Sequence, residues 1–198
     1  MTQDPTTVSS AEPSDELANY LWDRRCKAVY RVRLSVLYHL KRERFFDSVD
    51  KWCSVITAVA ATASVGVLLK RVEEVDVWVA AFTAILSLVP VIFNPAEKAR
   101  RHGQGAAEFR RLLAEFERTG EHWTQQQCDH FAGRVIELEA TEPAPLSALV
   151  IDCQNQLAIA SGEPDNRVEL TWWEGMLKHW WDFDASKIEA RANAKSTA

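Results

Sequence analysis

Two long runs without a charged residue, set seven residues apart, constrain this chain more than any other feature. Residues 52–69 read WCSVITAVAATASVGVLL, and residues 77–93 read VWVAAFTAILSLVPVIF. As helices rising ~1.5 Å per residue, they cover roughly 27 Å and 26 Å, close to the ~30 Å hydrocarbon thickness of a bilayer. The competing reading is a pair of fully buried helices in a soluble bundle. Two successive charge-free runs of this length are rare in a soluble chain of 198 residues, and the run ends carry boundary chemistry. Trp52 and Trp78 stand where interfacial aromatic residues gather. Lys51, Lys70 and Arg71 have stems long enough to bring their charges to headgroups.

The seven residues between the runs, 70–76, form a hairpin turn with two bases and three acids. Cations sit on the other side. Lys41, Arg42, Arg44 and Lys51 precede the first run, and Lys98, Arg100, Arg101, Arg110 and Arg111 follow the second. Positively charged flanks stay cytoplasmic, so the expected topology has the turn outside and both termini in the cytoplasm. The expected class is an all-α membrane protein, with a two-helix transmembrane hairpin, a long N-terminal helix and a cytoplasmic helical bundle.

Small and hydroxyl residues line one face of each run. Ser54, Thr57, Ala61 and Ser64 share a helical face in the first, and Ala80, Thr83, Ala84, Ser87 and Pro90 in the second. Such faces let helices approach closely. The same faces would line a pore after oligomerisation, because two helices alone cannot enclose water.

Outside the runs the spacing predicts helices. Residues 1–14 are polar and rich in Ser and Thr, and read as a disordered lead-in without the apolar core of a signal peptide. A helix capped by Ser14 is expected over 15–51 and on into the membrane, with a break near Phe46–Val49. Its apolar stripe is Leu17, Tyr20, Leu21, Val29, Leu34, Leu37 and Leu40. The cytoplasmic helices fall within 94–162: Ala96 to Arg118 with Gly120 as the stop, a helix opened by a Thr124/Gln127 capping box, and one from Leu146 to Ala160 beyond a Pro143/Pro145 break. A Trp-rich helix is expected over roughly Val168–Trp181, within the segment 163–183. The tail 184–198 reads as loose.

The search for chemistry is largely negative. The net charge of −5 gives no case for nucleic-acid binding. The four cysteines form no C-x-x-C pair and read as reduced thiols. His122, Cys128 and His130 match no zinc spacing. Glu137, Glu139 and Glu142 read as a solvated face, and the Gly103/Gly105 segment lacks the lysine of a phosphate loop. No enzymatic constellation emerges, so neither catalytic residues nor a cofactor are expected. The arginines Arg25, Arg31, Arg42, Arg44, Arg100 and Arg101 have two readings: attraction to anionic lipid headgroups, or bidentate contacts to a phosphorylated ligand. Trp172, Trp173, Trp180 and Trp181 are core packing, an interfacial helix on the inner leaflet, or a partner-binding surface.

One set of residues carries a family likeness. Trp22, Arg25, Tyr30-Arg31, Tyr38-His39, Arg42, Phe45-Phe46-Asp47 and Asp50-Lys51-Trp52, then two short spans, then Ala99-Arg100, His102 and Phe109, resemble the SLATT family. The likeness covers roughly residues 16–160. It implies a two-transmembrane bacterial effector of the inner membrane, one that oligomerises and permeabilises the membrane when triggered. The setting it implies is a nucleotide-signalled or other anti-phage, abortive-infection system. The implied partners are the bilayer, further copies of the chain, and a nucleotide second messenger or a separate sensor protein. A non-conducting membrane scaffold or adaptor, or an accessory transporter subunit, is the alternative.

Overall fold

The computed structural model describes residues 15–70, 78, 81, 82, 84, 85, 88 and 92–196, leaving aside the side chains at 60, 63–70 and 195–196. The chain is all-α: every described element is a helix, and no strand occurs among the described residues. In order these are α1 (Asp15–Lys70), α2 (Pro95–Thr119), α3 (Gln125–Glu139), α4 (Ser147–Ala160), a 3-10 turn (Pro164–Asn166), α5 (Trp172–Leu177) and α6 (Ala185–Ser196). Ser14 lies outside the described residues.

Helix α1 runs unbroken for 56 residues, about 84 Å. The expected break near Phe46–Val49 is absent. No proline interrupts the segment. The hydroxyl of Ser48 bonds back to the Arg44 carbonyl at 2.8 Å, and Lys51 pairs with Asp47 one turn away, so both polar side chains are satisfied on a continuous helix. No helix among the described residues is long and apolar enough to cross a membrane. The uncharged run 52–69 has helical backbone throughout, but the side chains at 60 and 63–69 fall outside the described residues. Most of the second run falls outside them too; Trp78, Ala81, Phe82, Ala84, Ile85, Leu88, Ile92 and Phe93 are described, and all are helical.

Asn94 turns the chain into α2. It takes a left-handed conformation (φ 43°), its side chain caps the Glu97 amide, and Pro95 occupies the first helical turn. Gly120, at φ 86°, ends the helix as expected. Helix α2 lies antiparallel to α1: Phe46 meets Lys98 and His102, His39 meets His102, and Val32 shares a core with Phe109. Gly105 permits this approach, since a Cβ there would stand 3.0 Å from the His39 ring, whereas one at Gly103 would meet only the movable end of the Glu43 side chain.

The main core joins α1, α2 and α3 through Val32, Phe109, Leu112, Phe116, Trp123, Phe131 and Val135. Its line on α1 runs through Leu21, Ala28, Val29, Val32 and Val36, whereas Leu17 and Tyr20 are exposed. The expected stripe was therefore rotated: α1 carries apolar residues on several faces, and the aromatic residues of α2 and α3 select one. The Thr124/Gln127 capping box opens α3 as expected.

The C-terminal region departs from expectation. Residues 167–171 are not helical, α5 covers only Trp172–Leu177, and the supposedly loose tail forms α6. Ile188 of α6 is buried against Ala148 and Ile151 of α4, and Arg191 pairs with the buried Glu174 of α5. These contacts offset the ordering cost of a polar segment that has little reason to fold alone.

Candidate functional site

A polar cluster is buried where α1, α2 and the α3–α4 connection meet. His39 is 4% exposed and stacks on Phe109. Its Nε2 lies 2.6 Å from Glu142 Oε1, and its Nδ1 lies 3.0 Å from Nδ1 of His102. Because a carboxylate accepts, Nε2 of His39 is the donor to Glu142. In that tautomer Nδ1 of His39 accepts from His102. Beside them the Tyr38 hydroxyl oxygen accepts from the Leu146 amide at 3.2 Å. Burial raises the pKa of the Tyr38 phenol.

Next to this cluster a cavity of about 470 Å³ opens between the helices. Arg42, Lys98, Arg101, His102, Glu108, Phe109, Thr141 and Glu142 are among the residues that line it, with His102 and Glu142 both on the His39 ring. Phe46 forms a wall between cations: its ring carries the Arg42 guanidinium at 4.5 Å and the Lys98 ammonium at 5.6 Å. Arg42 donates to the His179 carbonyl at 2.6 Å, while its buried Nε has no partner among the described residues. Burial lowers the Arg42 pKa. Burial, helped by His39 and Arg42, holds His102 down to about 4, so its imidazole is neutral near pH 7.

A second cluster ties the C-terminal region to α1. Asp152 of α4 accepts from Lys41 and, at 2.8 Å, from Lys178. Burial works to raise its pKa, but the two lysines bring it below the usual carboxylate range. His179 stacks on Phe45 at 4.5 Å, and Trp180 meets the same ring edge-on at 5.0 Å. Burial pushes His179 down to about 4. Trp172 and Trp173 stack on one another at 3.6 Å, and all four tryptophans of this region remain more than half exposed. They do not form a core within the chain.

The six arginines separate into distinct settings. Arg25 lies over Trp22 and Trp123 inside the bundle, and Arg31 forms a two-pronged pair with Glu139. They precede Trp52 on α1 by about 40 Å and 32 Å, so their contacts are made within the bundle and not beside the uncharged run. Arg100 pairs with Glu97, and Arg44 is exposed beside Lys41 and Phe45. Only Arg42 and Arg101 of the six line the main cavity.

On the small-residue face, Ser54 and Ala61 are exposed, and Thr57 donates its hydroxyl to the Cys53 carbonyl at 2.7 Å within its own helix. The Ser64 side chain, Ala80, Thr83, Ser87 and Pro90 lie outside the described residues. His122 and His130 are exposed and Cys128 is buried, and no group of three residues able to hold a metal occurs among the described residues.

The sequence reading missed the His39–His102–Glu142 cluster, whose members lie 63 and 103 positions apart. Glu139 and Glu142 were expected on a solvated face and instead hold Arg31 and His39. One signal was present: His39, Arg42, Phe46, His102 and Phe109, all among the residues carrying the family likeness, converge on the cavity. Comparison of the chain with family profiles, with curated proteins and with solved structures returns no match.

Proposed function

We propose that this chain is a bacterial inner-membrane effector whose activated homo-oligomer permeabilises the membrane. In this reading 52–69 and 77–93 cross as a hairpin, and α2–α6 and both termini stay cytoplasmic. The carrying observation is an apolar band beside a well-packed bundle. Trp52, Val55, Ile56 and Val59 are 40–66% exposed, and Trp78, Phe82, Ile85, Leu88, Ile92 and Phe93 are 52–80% exposed. Exposed apolar residues in this number mark a surface that lipid or further copies of the chain would cover. The exposed Trp180 fits the same picture. It rests on Phe45, seven residues before Trp52 and so about 10 Å along α1, near the headgroup layer.

An anti-phage, abortive-infection role with a nucleotide or sensor-protein trigger rests on the resemblance to the SLATT family. The test is membrane potential in cells expressing the protein with its genomic neighbours, before and after triggering. Wild type should depolarise the membrane, and Thr57→Leu should insert normally and depolarise less. Correct insertion with a membrane that stays polarised would favour the non-conducting scaffold. The exposed Trp172–Trp173 pair would then be its partner-binding surface.

A further inference from the structure

We propose that the cavity between α1 and α2 is a phosphate-binding site, taking a phosphate ester at Arg42, Lys98 and Arg101. Cations from two helices converge there. Lys98 has no carboxylate partner among the described residues, and the nearest carboxylate oxygen to Arg101 is 3.9 Å from its Nε, on Glu97. Arg42 lines the same wall, its guanidinium held over the Phe46 ring at 4.5 Å. Of the acids of the cavity, Glu142 is held by His39, and Glu108 is seven residues beyond Arg101 on α2, about 10 Å along its axis. A phosphate therefore meets guanidinium and ammonium groups, and the carboxylates and Thr141 are left to accept from or bond an organic portion bearing donors. Arg supplies paired N–H groups and Lys a point charge, the usual division of labour at phosphates.

These cations also lie next to the uncharged runs: Arg42 precedes Trp52 by ten residues, and Lys98 follows Phe93 by five. The phosphate could thus belong to a lipid headgroup or to a soluble ester. The inference does not depend on the pore reading, since binding is measured without conduction.

The experiment titrates pyrophosphate into the full-length protein by calorimetry, first in a maltoside detergent and then in phospholipid nanodiscs. Lys98→Gln/Arg101→Gln is the informative variant, because both side chains are exposed and their loss should leave the fold intact by circular dichroism. Arg100→Gln, outside the cavity, is the control. In maltoside the double variant should weaken binding by at least about tenfold while the control binds like wild type. The His102 ring, followed by NMR, should titrate at higher pH with pyrophosphate bound. Binding that persists in nanodiscs identifies a soluble phosphate ester. Binding that disappears there, with phospholipid retained by wild type but not by the double variant in native mass spectrometry, identifies a headgroup. Either result supports the site. Absence of both pyrophosphate binding and selective lipid retention would overturn it, as would equal losses in the double variant and the control.

Discussion

Nδ1 of His39 and Nδ1 of His102 lie 3.0 Å apart, joining α1 to α2 across 63 residues of chain. Gly105, on the same side of α2, is what allows His39 to sit there. A Cβ at Gly105 would lie 3.0 Å from both Cε1 and Nδ1 of that ring. The ring cannot give way easily, because Phe109, Glu142 and His102 hold it. Gly105→Ala should therefore destabilise the protein by about 1–3 kcal/mol despite the better helix propensity of alanine. Gly133→Ala, with nothing within 4 Å of the added atom, should stabilise by about 0.5–1 kcal/mol. Thermal unfolding of the two variants checks the contrast in sign.

Acid should weaken the fold through its neutral histidines. His102 and His179 titrate at about 4 in the folded chain and near the ordinary 6.5 when unfolded. Between those values the unfolded state binds more protons, so stability is complete above pH 6.5 and falls as pH drops toward 4. The groups facing His102 are His39 and Arg42, and those facing His179 are Arg42, Lys178, Asp152 and Lys41. The melting temperature should fall across this window, and His102→Gln should make the fall shallower. A flat profile from pH 7 to pH 4 would contradict the burial of both rings.

Thiol labelling should follow burial. Cys26 is exposed, whereas Cys128 and Cys153 are buried. Burial raises the Cys128 thiol and pushes Cys153 up to about 11, so neither supplies thiolate at neutral pH. Among these three, native protein should react with iodoacetamide at Cys26 alone, read by peptide mass spectrometry. All three should react after unfolding.

Helix α6 depends on one apolar anchor. Ile188 is 1% exposed against α4. Ile188→Ala should cost about 2–4 kcal/mol, and most of the loss should fall on α6. Hydrogen exchange should accelerate across 185–196 and leave the Phe109–Phe116 region of α2 protected.

Topology tests the hairpin directly. A reporter fused at Val75 should register an external position, and fusions at either terminus an internal one, as the basic flanks require. A cytoplasmic signal at Val75 would remove the hairpin while leaving the cavity and its phosphate inference standing.

What the sequence determined by itself was local. Helical class, the Gly120 stop, the Thr124/Gln127 box and the Pro143/Pro145 break follow from backbone preferences and capping chemistry within a few residues, and the structure has each of them. Which face of α1 is buried could not be read, because Leu17 and Val32 look alike until Phe109 and Phe116 select between them. Nor could the tail be read: α6 exists because Ile188 and Arg191 find α4 and Glu174, not because its own residues demand a helix. The cavity is the clearest case. Arg42 and Arg101 were legible as candidate phosphate contacts, but nothing near His39, Lys98 or Glu142 in sequence says that they join those arginines around one cavity. Only the antiparallel packing of α2 on α1, with Gly105 leaving room for the His39 ring, brings those charges within reach of one ligand.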